Sequence, residues 1–224
     1  PPDAPIPVGE SVGMARGSSD DVIVAQWNDL EALERIFEHE GKQIAGVIME
    51  PILANTNCIV PRPGYLEGAA DLCTRHGALL IFDEVITGFR VALGGAQETT
   101  GIVPDLATYG KALAGGFPLS ALVGRADVME VLGDGTVYHG GSFNSNVMVM
   151  SAARATLEHL SADPEAFYSD LNGRGLILMD GLRDAASRAG VDMLVQGVGA
   201  TFWTTFTDRT EINKYREHAE FTDP

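Results

Sequence analysis

The chain has 224 residues, 45% of them hydrophobic and 21% charged, which is the composition of an ordinary globular protein with a buried core. Its 31 acidic against 15 basic residues give a net charge of −16, which repels phosphate backbones and anionic membranes, and no local basic patch offsets it. No apolar run approaches the roughly 20 residues needed to cross a bilayer, so neither a nucleic-acid nor a membrane partner is expected. Cys58 and Cys73 form no framework and no Cys-x-x-Cys pair, which fits two buried thiols in a reducing cytoplasm.

Residues 1–21 are rich in Pro, Gly and Ser and predict an irregular approach segment. Asp20-Asp21 within it reads as a solvated turn. Val22 to Ala25 predicts a short strand. Asn28 is a good N-cap for a helix whose Leu30, Leu33, Ile36 and Phe37 fall at helical spacing. Ile44 to Met49 is a continuous, partly β-branched apolar run and predicts a buried parallel strand ending at Glu50-Pro51. A helix is expected over 64–76, with Leu66, Ala69, Ala70 and Cys73 on one face. Ala78 to Phe82 predicts a second buried strand, ending at Asp83-Glu84. A strand over Leu106–Tyr109 precedes the Gly110-Lys111 turn and Gly115-Gly116, and Leu119–Val123 is strand-like. Helices are expected over 126–132, 146–160 and 164–189, the last closed by Gly190. Val191–Val195 and Thr201–Phe206 predict strands of a smaller second domain.

Alternating strands and helices predict an α/β layer structure with a mostly parallel sheet. Ligands in such sheets bind beyond the carboxyl ends of the strands, and Glu50, Asp83 and Lys111 each follow an apolar strand-like run. Singly, each has an ordinary structural reading: a solvated lysine, a capping aspartate, a strand end. Together they fit one chemistry. A lysine amine forms a Schiff base with an aldehyde cofactor. A buried carboxylate favours a protonated ring nitrogen, and nearby glycines let the backbone pass close to a planar group.

The segments Ile48-Met49-Glu50-Pro51, Leu80-Ile81-Phe82-Asp83-Glu84-Val85, Pro104-Asp105-Leu106-Ala107-Thr108-Tyr109-Gly110-Lys111 and Gly115-Gly116-Phe117-Pro118-Leu119 resemble class III pyridoxal-phosphate-dependent aminotransferases. The likeness runs in order through about residues 22–208 and includes the glutamate-1-semialdehyde aminomutase and β-amino-acid transaminase branch. It implies the fold-type I architecture, with residues 1–160 as part of the large cofactor-binding domain. Residues 161–224 would be a linker helix and the start of a small α+β domain. The chain would then be a central fragment, with the phosphate loop before it and the rest of the small domain after it.

The resemblance also implies roles. Lys111 matches the Schiff-base lysine that moves the substrate Cα proton, and Asp83 the partner of the pyridine nitrogen. Val85 matches the apolar residue on one face of the ring. Asn55 falls near the cofactor's phenolic oxygen, and Ser142 where a hydroxyl reaches the phosphate of the neighbouring subunit's cofactor. Glu50 belongs to the same cofactor site. The expected cofactor is pyridoxal 5'-phosphate, with no metal. The expected protein is a cytoplasmic homodimer with shared active sites that acts on small-molecule amino and keto substrates. The Asn144-Ser145-Asn146 turn departs from the aminomutase pattern and favours a transaminase. An aminomutase and a degenerate, non-catalytic family member are the alternatives. Gly-x-Ser-x-Gly, Gly-x-Gly-x-x-Gly and metal-ligand spacings are not met.

Overall fold

The structure, a computed structural model, describes residues 13–15, 17 and 19–221; part of the irregular segment expected over 1–21 lies outside them. Seven helices and six strands follow one another among the described residues. They are α1 (Leu30–Glu40), β1 (Gly46–Met49), α2 (Tyr65–His76), β2 (Leu79–Asp83), α3 (Gly95–Thr100), β3 (Leu106–Tyr109), β4 (Ala121–Gly124), α4 (Ala126–Gly133), α5 (Val147–Ala162), α6 (Pro164–Ala189), β5 (Met193–Val198), β6 (Thr201–Phe206) and α7 (Tyr215–Phe221). A 3-10 turn, Lys111–Ala114, follows β3.

The main sheet has the order β1-β2-β3-β4. The first three strands are parallel and β4 runs antiparallel to β3. Met49, Phe82 and Ala107 stand in register across it, and all three are buried. Met49 and Phe82 face a core built with Leu33 and Phe37 of α1 and Leu66, Ala69, Leu72 and Cys73 of α2. Alternation then sends Ile81 and Asp83 to the opposite face. Among the described residues β1 lies at the edge of the sheet, and Ile48 on that opposite face is 66% exposed where a buried strand was expected. Removing Phe82, which is fully buried, would cost about 3–5 kcal/mol by the usual sum of lost transfer energy and cavity.

Helix ends follow local chemistry. Asp29, rather than the expected Asn28, caps α1, its carboxylate accepting from Ala32 N at 3.0 Å. Asn28 instead sits at φ 64° and ties loops together. Its amide donates to Val60 O at 3.1 Å and Asn213 O at 3.0 Å, and its oxygen accepts from Arg62 N at 2.8 Å. Asn146 caps α5 and Asp163 caps α6, with Pro164 in the first turn and Gly190 closing the end at φ 68°. Val22–Ala25 forms no strand, and Val22, Ile23 and Val24 are exposed.

β5 and β6 form a separate antiparallel hairpin against α6. The approach is close, because a Cβ at Gly175 of α6 would overlap the backbone of Gly199 and Ala200 in the hairpin turn. The hairpin is fastened to the main sheet's loops. Asn57 accepts from the buried Thr205 hydroxyl and pairs with His218 at 3.0 Å, Cys58 Sγ donates to Thr201 O at 3.2 Å, and the Arg90 guanidinium donates to Ala200 O at 2.6 Å. Among the described residues no helix is long and apolar enough to cross a membrane.

Candidate active site

The carboxyl ends of β1, β2 and β3 deliver Glu50, Asp83 and Lys111 to one edge of the sheet. Each strand is short and apolar, so the first polar side chain after it emerges where the parallel ladder stops. Asp83 closes β2. Its Oδ1 accepts from Val85 N at 3.0 Å and from the Thr108 hydroxyl at 3.2 Å. Both bonds fall on one oxygen, so Oδ2 is available to a further donor.

Glu50 follows β1, and its backbone oxygen accepts from Trp27 Nε1 at 3.1 Å. Burial, then the Asp83 carboxylate, push its carboxyl above the usual range. The backbone N–H groups of Ala54 and Asn55 and the Lys111 charge pull it the other way. Glu50 is therefore within electrostatic reach of both Asp83 and Lys111. Glu50 and Asp83 share a cavity of about 620 Å³ with Trp27, Ile48, Tyr215 and Arg216. A second cavity, about 760 Å³, runs along β5 and the 207–213 loop and contains none of the expected site residues.

Lys111 is exposed and stands at φ 42°, a left-handed conformation that costs a non-glycine residue on the order of 1 kcal/mol or more. The chain enters it through Gly110, where a Cβ would lie 3.4 Å from Val85 Cγ1. Val85 thus packs beside the backbone that presents the lysine. Gly115 at φ 58° ends the turn, and α5 packs against it.

The other expected residues are less gathered. Asn55 is exposed, and only its backbone N–H reaches Glu50. Ser142 is exposed in the loop between α4 and α5, where Asn144 N donates to Gly141 O at 3.0 Å. Among the described residues its side chain makes no hydrogen bond to Asp83 or Lys111. The exposed apolar side chains Tyr138, Phe143, Val147 and Met148 surround it in sequence.

The family model described as Aminotransferase class-III matches residues 11–222. The chain belongs to the class-III aminotransferase family. An omega-transaminase from Sphaerobacter thermophilus superposes with a TM-score of 0.86 at 29% identity, covering 96% of this chain and 50% of its own. A beta-phenylalanine aminotransferase from Variovorax paradoxus gives 0.78 at 32% identity, covering 88% and 45%. A transaminase with PLP bound gives 0.82 at 25% identity, covering 92% and 48%. The chain therefore spans about half the length of the solved structures it matches. The fold is that of the fold-type I pyridoxal-phosphate enzymes, and pyridoxal phosphate is the cofactor of this class-III family.

One group in this neighbourhood had no role in the sequence reading. Glu84, next to Asp83, is 0% exposed. In the sequence it stands in a segment that carries the family resemblance, but as an acidic residue directly after a buried strand its ordinary expectation is a solvated side chain.

Proposed function

We propose that the protein is a pyridoxal-phosphate-dependent transaminase that moves an amino group between an amino acid or amine donor and a keto acceptor. The observation that carries this reading is the convergence of Glu50, Asp83 and Lys111 at the carboxyl ends of three adjacent parallel strands in a class-III chain. The residues present fit the cofactor in their chemistry: an accessible primary amine, a carboxylate with one oxygen uncommitted, and an apolar β-branched side chain beside the lysine's backbone.

Pyridoxal phosphate, when bound, supplies an aldehyde carbon and a pyridinium that draws electrons from the substrate. Lys111 Nζ is the amine that holds the cofactor and afterwards takes the proton from substrate Cα. Asp83, fixed through Oδ1, would hold the proton on the ring nitrogen. Val85 covers one face of the ring. Asn55 serves the phenolic oxygen, and Glu50 sets the charge of the Asp83–Lys111 cleft. Ser142 donates its hydroxyl to the phosphate at the neighbouring subunit's site.

The same proposal takes residues 1–160 as part of the cofactor domain and 161–224 as a linker helix with the start of the small domain. The two separate sheets joined by α6 support that division. It also takes the protein to be a cytoplasmic homodimer. The apolar exposure around Ser142 favours a second copy on that face.

The test is amino transfer by the intact protein. Its pyridoxamine-loaded form should return to the aldehyde form with pyruvate or 2-oxoglutarate. Refusal of both, with fast isomerisation of glutamate-1-semialdehyde, would make it an aminomutase instead. Mixing inactive Lys111→Ala and Ser142→Ala proteins should restore some activity if sites are shared, because one site of each mixed dimer then carries neither lesion.

A further inference from the structure

Among the described residues, the buried Glu84 carboxylate takes its hydrogen bonds from no cation. Four neutral donors hold it instead. The Thr87 hydroxyl and Ala96 N bond Oε2 at 2.8 and 2.7 Å; Gln97 N and Gln97 Nε2 bond Oε1 at 3.2 and 3.1 Å. A Cβ at Gly95, which stands at φ 68°, would overlap Oε2, so the backbone is drawn tight around the group. Burying a charge this completely is costly unless every lone pair is met. An acceptor-only group facing donors on both oxygens meets that condition.

The network leads to the proposed chemistry from two sides. On one, Gly88 N donates to Glu84 O at 2.9 Å and Thr87 bonds the carboxylate, which closes the turn that carries Val85. On the other, Gln97 Nε2 also donates to the Tyr109 hydroxyl at 2.6 Å. Tyr109 ends β3 two residues before Lys111. Its ring lies 5.3 Å from that of Phe89, and a Cβ at Gly88 would overlap it. Glu84 N meanwhile donates to Thr108 O at 2.9 Å, and the Thr108 hydroxyl bonds Asp83. A residue in the left-handed region persists there only when its surroundings over-determine it. For Lys111 those surroundings begin at Tyr109.

We propose that Glu84 is a positioning residue, which through Gln97 and Tyr109 fixes the backbone that presents Lys111 and through the 84–88 turn sets Val85 beside it. This inference rests on the transaminase reading. It assigns Glu84 no contact with substrate or cofactor. Its effect is confined to geometry, where small misplacements of a reacting group slow chemistry strongly.

The experiment is a double-mutant cycle in the intact, cofactor-loaded protein. Glu84→Gln sets an amide donor against N–H donors at one of the two oxygens. Tyr109→Phe removes only the hydroxyl and leaves the half-buried ring in place. Each single variant should slow single-turnover amino transfer on the order of 10-fold, with substrate KM nearly unchanged. Each should also shift the pH midpoint of the lysine-linked cofactor absorbance, a readout that general loosening of the fold does not move. The double variant should be no slower than Glu84→Gln alone, because both changes break one relay. Losses that multiply, or an unmoved absorbance titration in Tyr109→Phe, would overturn the proposal even if Glu84→Gln proves poorly folded. A wild-type protein that shows no lysine-linked absorbance would instead defeat the transaminase reading itself, so the two failures are distinguishable.

Discussion

Asp83→Asn is the substitution whose outcome follows most directly from the geometry. Two hydrogen bonds to the carboxylate end on Oδ1, from Val85 N at 3.0 Å and the Thr108 hydroxyl at 3.2 Å. An amide oxygen accepts both, so the turn after β2 stays as it is. The change falls on the second atom, where an NH2 replaces Oδ2 and the negative charge disappears. A unit charge about 4 Å from a protonated ring nitrogen contributes about 4 kcal/mol at an effective dielectric of 20. If most of that supports the electron-drawing form of the ring, the barrier rises by about 3 kcal/mol, or at least ~100-fold in rate. The assay is single-turnover amino transfer by the intact, cofactor-loaded protein, with thermal unfolding beside it to verify that stability is near wild type. A variant that turns over within about threefold of wild type, fully loaded and folded, would refute the role given to Asp83.

Two further predictions concern the scaffold and the site's charge. Gly175→Ala should destabilise the protein by about 1–3 kcal/mol, because its Cβ meets the rigid backbone of Gly199 and Ala200. Gly181→Ala in the same helix, with open space around it, should stabilise by about 0.5–1 kcal/mol, and chemical unfolding of the pair checks both. Glu50→Gln should make stability less sensitive to pH in the cofactor-free protein. Burial raises the Glu50 carboxyl above its ordinary 4.5, so its stabilising share is complete below that value and is lost as pH climbs through the raised one. The wild type should therefore fall behind the Gln variant on going from pH about 4 to about 8; no change in their relative melting temperatures would contradict this.

The elements that deliver the site were legible because parallel strands are short apolar runs with a polar residue at the stop. Ile44–Met49, Ala78–Phe82 and Leu106–Tyr109 each became a strand within two residues of the expected bounds. What was missed depends on contacts distant in sequence. Val22–Ala25 has strand chemistry but pairs with no strand among the described residues, and β-propensity expresses itself only through neighbours. Asn28 and Asp29 are equally good caps on paper. Asn28 goes to φ 64° because loops at 60–62 and 213 need its amide. α3, a run of Gly, Ala, Gln, Glu and Thr, has no apolar period, and its first turn is held by the Glu84 carboxylate from 12 and 13 residues earlier. The placement of Glu50, Asp83 and Lys111 at the carboxyl ends of three neighbouring strands was legible by position. The burial of Glu84 was not, since nothing local separates a solvated glutamate from one enclosed by four donors.

The central claim is that Lys111 holds the cofactor. Borohydride reduction of the intact protein loaded with pyridoxal phosphate, followed by peptide mapping, tests it without reference to substrate. The adduct should lie on Lys111, and Lys111→Ala should remove both the adduct and the lysine-linked absorbance. An adduct on Lys42 or Lys214, or one that survives Lys111→Ala unchanged, would contradict the account.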